Sequence, residues 1–85
     1  MAIFRLVVRD GNDFSEDKDY ESETLPRAGE HLLSRLEDED RLTKVVSVVH
    51  PSDTETKLIL VVGDLVASGK KLDILEIAKK AVGAT

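Results

Sequence analysis

The chain has 85 residues, 12 basic and 17 acidic, for a net charge of −5, with no cysteine, no tryptophan and 4% aromatic residues. That length supports one domain, and a fold of this size buries only roughly 60–65% of the surface its open chain exposes. Without cysteine there are no disulfides, thiolate metal sites or cysteine nucleophiles, which points away from stapled secreted domains and toward a reducing, cytoplasmic compartment. The negative charge disfavours direct binding to nucleic acid or an anionic membrane, and no apolar run approaches a spanning length.

Residues 2–9 alternate as a strand, with Phe4, Leu6 and Val8 on one face and Ile3, Arg5, Val7 and Arg9 on the other. Asp10-Gly11-Asn12-Asp13 is turn chemistry. The polar run that follows reads as an exposed acidic loop over 10–19, with a short strand over 20–24. Pro26 and Gly29 punctuate the chain before 30–36, where Leu32, Leu33 and Leu36 suit a helix, although a strand fits the neighbouring hairpin better. Glu37-Asp38-Glu39-Asp40 reads as a charged turn. Residues 42–50 and 56–62 are rich in β-branched side chains around a Pro51–Glu55 turn, the pattern of an antiparallel hairpin. Both faces of that hairpin are apolar, which calls for cover by a helix on one side and by another strand layer or a second subunit on the other. Gly63 through Gly69 reads as a connector. Ile74, Ile77, Ala78, Ala81 and Val82 then mark a helix over 70–82, capped by Ser68 or Asp73 and closed by Gly83. The expected fold is α+β: a small antiparallel sheet or partly open barrel of about four strands with one C-terminal helix.

Motifs that carry chemistry are weak. Gly63…Gly69-Lys70-Lys71 has five residues between its glycines and a lysine where a P-loop needs a hydroxyl, so nucleotide hydrolysis is not indicated. Asp13, Ser15, Asp17, Asp19 and Glu21 alternate as calcium ligands would, but Lys18 holds the position of the turn glycine and Thr24 that of the bidentate glutamate. His31 and His50 lack metal-ligand spacing. Lys70, Lys71, Lys79 and Lys80 are interleaved with Asp73 and Glu76 and lack the aromatic company of a nucleic-acid surface. No cofactor or metal is expected.

Leu25-Pro26-Arg27-Ala28-Gly29-Glu30, followed by Val45-Val46-Ser47-Val48-Val49-His50 and a second hairpin strand, is similar to small β-barrel-like domains of uncharacterised bacterial and phage proteins with a Leu-Pro-x-x-Gly-Glu lead-in. The resemblance covers about residues 25–62. It implies a bacterial or mobile-element source and transfers no catalytic residue.

Charge distribution carries the functional expectation. Residues 10–40 hold twelve acids against Lys18, Arg27 and Arg35, a local balance of −9, while the rest of the chain is +4. Such asymmetry steers association with positively charged proteins. The first expectation is a non-catalytic module that binds a basic protein through Asp13, Glu16, Asp17, Asp19, Glu37, Asp38, Glu39 and Asp40, for instance as an inhibitor that mimics nucleic-acid charge. The alternative is a self-assembling subunit, such as a homodimer formed through the 42–62 hairpin. A third class, an enzyme, would need a concave pocket that places His31 or His50 beside a carboxylate.

Overall fold

The computed structural model describes residues 2–52 and 58–83. Five strands, β1 (Ala2–Asp10), β2 (Asp13–Ser22), β3 (His31–Leu36), β4 (Glu39–Val49) and β5 (Ile59–Gly69), precede one helix, α1 (Ile74–Gly83). The strands form a single sheet in the order β2-β1-β5-β4-β3, curled into a half-barrel. The fold is α+β, with five strands rather than about four. β1 and β5 run parallel and the other neighbours antiparallel, so the sheet is mixed.

Three stretches depart from the sequence-based expectation, each for a local reason. Of the residues expected as an acidic loop over 10–19, those from Asp13 on form most of β2, which also takes in residues 20–22 of the short strand expected over 20–24 and ends at Ser22. Gly11, at φ 64°, closes a two-residue turn between Asp10 and Asp13, and the acids of β2 then lie opposite the arginines of β1. Because β2 is an edge strand, its outward side chains stay in water, where a charged sequence is tolerated. The Gly63–Gly69 connector is the second half of β5, paired with β4. Gly63 is there because two chains crowd together: a Cβ at that position would meet Thr43 Cγ2 and lie 2.9 Å from the Lys44 carbonyl. The 37–40 turn shrinks to Glu37 and Asp38, with Glu39 and Asp40 already in β4. Within 30–36, where helix and strand were both open, the chain is strand from His31 to Leu36. The hairpin of β4 and β5 is antiparallel as expected, while part of its Pro51–Glu55 turn, from Asp53 on, lies outside the described residues. The helix begins at Ile74 rather than residue 70, with the Asp73 carbonyl accepting the Ile77 N–H at 2.9 Å; Ser68, the other candidate cap, is in β5.

Phe4, Leu6, Val8, Val45 and Val61 fill the concave side, joined at the margin by Tyr20, Leu25, Leu32, Val48, Ile59 and Leu65. Two bulges adjust the pattern. One on β4 inserts Val46, and one on β5 inserts Val66 opposite Leu42 and Thr43. The second turns Ala67 to the convex side, where it pairs with Leu42, which faces away from Val45 by simple alternation along β4 and lies outside the main cluster. Leu42 is nonetheless buried. The helix meets both β4 and β5, lining a cavity with Val66, Ala67 and Ser68 of β5, and covers one end of the convex face rather than the whole apolar hairpin.

Candidate functional site

β2 is the strand in which charge, exposure and an unpaired backbone edge coincide. It lies at one end of the sheet order, so one row of its N–H and C=O groups has no neighbouring strand. Residues 13–23 carry Asp13, Glu16, Asp17, Asp19, Glu21 and Glu23 against Lys18 alone. Opposite β1, Glu16 pairs with Val7, Asp19 with Arg5 and Glu21 with Ile3, which puts these three acids in one column on the convex face. Arg5 leans into that column, with Nε 2.8 Å from Asp19 and Nη1 3.2 Å from Glu16. The Arg5 guanidinium is held above its ordinary pKa, first by the hydrogen bond to Asp19 and then by that to Glu16. One cation therefore meets two of the carboxylates, while Asp13, Glu21 and Glu23 stay exposed.

The eight acids expected to form one face are sorted into separate places. Asp17 is the clearest correction: it is 7% exposed and points into the half-barrel. A bulge between Glu16 and Asp19 turns it inward. There its Oδ1 accepts the Lys18 N–H at 2.7 Å and the Tyr20 hydroxyl at 3.1 Å, and its Oδ2 accepts Ser34 Oγ at 3.4 Å. Asp17 thus ties the two edge strands of the half-barrel together across its open side and is no docking residue. Burial pushes the Tyr20 hydroxyl above its ordinary pKa, and the neighbouring Asp17 adds to that shift.

Asp40 is also engaged internally, 3.4 Å from Arg35 and accepting the Leu72 N–H at 3.1 Å, which anchors the approach to α1. Glu39 lies 3.7 Å from Arg41. Glu37 and Asp38 are exposed at the β3–β4 turn, at the same end of the sheet as Asp13. Between those two tips β5 ends and the chain continues into Lys70 and Lys71, so that rim carries mixed charge. Glu21 on β2 and Glu23 just beyond its end are also exposed, although neither is among the eight acids expected to bind and Glu21 figures only as a candidate calcium ligand; the run of acids continuing through 21 and 23 was the available signal. The strand also separates the supposed calcium ligands, with Asp17 inside and Asp19 outside. Among the described residues no group of three or more histidine, aspartate or glutamate side chains is placed to hold a metal.

The opposite end carries an open groove of about 720 Å³ lined by Thr24, Leu25, Pro26, Arg27, Glu30, Val48 and His50. Its wall is the Leu-Pro-x-x-Gly-Glu segment, whose composition is explained by the turn it makes. Leu25 packs on the core and Pro26 is buried. Gly29 takes φ 96° at the third turn position, and the Glu30 N–H donates to the Arg27 carbonyl at 3.1 Å. Glu30 Oε1 in turn accepts the Arg27 N–H at 2.6 Å. His50 and Glu30 both line this groove, but both are exposed and the Glu30 carboxylate is committed to its own turn. His31 stands apart on β3, opposite Lys44.

Among the described residues no helix is long and apolar enough to cross a membrane. Comparison with protein-family models, with curated proteins and with solved structures found no match to this chain.

Proposed function

We propose that this chain is a small non-catalytic interaction module that takes a basic, extended segment of another protein along the acidic edge strand β2. The observation that carries the reading is the meeting, on one strand, of an unpaired backbone edge with Asp13, Glu16, Asp19 and Glu21, with Glu23 exposed just beyond the strand's end. An added strand gains main-chain hydrogen bonds, and alternate side chains supply specificity. Here a partner strand with lysine or arginine at every second position meets the carboxylates, whereas an acidic or neutral strand does not. The same acids discourage pairing of two β2 edges, because like charges then lie directly opposite. Inhibition of a basic partner by a phage or mobile-element protein is one form this role takes. The non-catalytic part rests on the groove at the other end, where His50 and Glu30 are solvent-exposed and Glu30 is already used as a turn cap.

The test uses two labelled extended peptides, one alternating lysine with threonine and valine, the other with glutamate in place of lysine. Binding to the full chain is followed by fluorescence anisotropy at low and physiological salt. The basic peptide is expected to bind, with affinity falling as salt rises, and D13K/E21K/E23K is expected to weaken it at least about tenfold. Equal binding of both peptides, or an unchanged affinity in the reversed protein at low salt, sinks the proposal. Self-assembly is favoured by a different surface, the apolar arc of α1.

A further inference from the structure

The helix α1 is turned so that its apolar surface largely misses its own sheet. At roughly 3.6 residues per turn, Ile77 and Ala81 form the half-buried margin of the helix, and Ile77 lines a cavity together with Val66 and Ala67 of β5. Ile74, Ala78, Val82 and Leu75 make a continuous arc on the solvent side, and Ile74, Leu75 and Val82 are 79%, 68% and 77% exposed. Lys79 follows that arc on the helix surface, and Lys80 lies beyond it.

A second unpartnered apolar surface lies on the convex face of the sheet, away from the helix. The register places Ile3, Leu60, Val62 and Val49 together on neighbouring strands, with Ile3 50% and Val49 46% exposed. The ion pair of Arg9 with Asp64, bidentate and half-exposed, separates this stripe from the part of the sheet that α1 covers. Beside the stripe stands the column Glu16, Asp19 and Glu21, three carboxylates with Arg5 drawn aside among them. One surface is thus an apolar arc bordered by lysine, and the other an apolar stripe bordered by excess carboxylate.

We infer that these two surfaces are halves of one contact between copies of this chain: α1 of one copy lies on the Ile3–Leu60–Val49 stripe of the other. Each copy carries both halves, so a two-fold axis lets both contacts form and close the assembly at a dimer. Charge complementarity selects this pairing over helix against helix, where Lys79, which borders the arc, would be brought against the Lys79 of the other copy. The inference goes beyond the reading of β2 as a docking edge. It concerns the purified chain alone, so its failure leaves that reading standing.

The experiment is light scattering and analytical ultracentrifugation of the full chain from micromolar to millimolar concentration. The wild type is expected to shift from monomer to dimer. I74E/V82E and I3E/V49E each remove two apolar anchors from each of the two symmetric contacts, four in all, and each alone is expected to weaken dimerisation by about ten-thousandfold, at roughly tenfold per anchor. Mixing the two variants restores association in part, because in the mixed dimer one of the two contacts joins the intact helix of one copy to the intact stripe of the other. All four positions are solvent-exposed, so circular dichroism is expected to show a retained fold; should I3E/V49E lose it, I3S/V49S serves the same purpose. A wild type that stays monomeric throughout, a stripe variant that dimerises as well as the wild type, or a mixture that associates no better than either variant alone each overturns the inference.

Discussion

The β3–β4 turn stores backbone strain that two substitutions relieve. Leu36 pairs with Glu39, leaving Glu37 and Asp38 as a two-residue loop, and both have positive φ, 50° and 66°. That is the geometry of a type I′ turn, which favours Asn-Gly because a Cβ in the left-handed region crowds the neighbouring carbonyl. The penalty is about 1–2 kcal/mol per residue, smaller for aspartate, and glycine gives back about 0.5–1 kcal/mol in chain entropy. E37N/D38G is therefore expected to stabilise the fold by roughly 1–2 kcal/mol. For a domain of this size each kcal/mol moves Tm by about 4–8 °C, so a rise of about 5–15 °C is expected in thermal melts, with an unchanged urea m-value. Removing two adjacent carboxylates also relieves repulsion, and salt separates the causes. Near 1 M salt the screening length is about 3 Å, so a charge effect fades while a backbone effect persists. A Tm that does not rise, or a gain that vanishes in high salt, refutes the strain argument.

Two further outcomes follow from the interior. G63A is expected to cost about 1–3 kcal/mol in urea unfolding, since the new methyl must displace the Lys44 carbonyl and Thr43 in the middle of the sheet; a midpoint equal to that of the wild type contradicts the close approach. The chain has one tyrosine and no tryptophan, so ultraviolet titration follows Tyr20 alone, and its midpoint is expected above the ordinary value of 10.0, with burial as the main cause. Because the folded value is raised, the associated stability is complete below the unfolded pKa and is lost as pH climbs through the folded one. D17N is expected to lower the midpoint by removing the carboxylate that adds to the shift. A wild-type midpoint at or below 10.0 contradicts the buried position of the ring.

The strands with alternating or β-branched apolar residues were legible because one side chain in two must leave water: Phe4, Leu6 and Val8 in β1, and Val45 and Val61 in β4 and β5, are the core. The C-terminal helix was legible from its period, to within four residues at its start. β2 was not, because an edge strand buries almost nothing and its residues carry no apolar period; only Tyr20 touches the core cluster. The second half of β5 was masked by its glycines, which read as a connector but in one case mark a crowded crossing. At the candidate site the sequence supplied the charge and misplaced its geometry. A one-residue bulge sends Asp17 inside while Asp19 stays out, and bulges leave no signature in composition.

Charge counted along a chain is thus a poor guide to a charged face, and the two surfaces proposed above show why the distinction matters physically. The edge of β2 relies on exposed carboxylates, whose attraction to a cationic strand is screened over about 10 Å at 0.1 M salt. The helix arc and the convex stripe rely on apolar burial, which salt does not screen, with lysine and carboxylate setting only the orientation. Raising ionic strength should therefore release a basic partner from β2 while leaving two copies joined. The Arg5 pairs bear on both contacts: by holding Glu16 and Asp19, Arg5 moderates the charge of the edge and leaves Ile3 uncovered beside it. Arg5→Ala should thus tighten the binding of a lysine-rich strand at low salt and weaken the fold at the β1–β2 hairpin, two effects of opposite sign from one side chain.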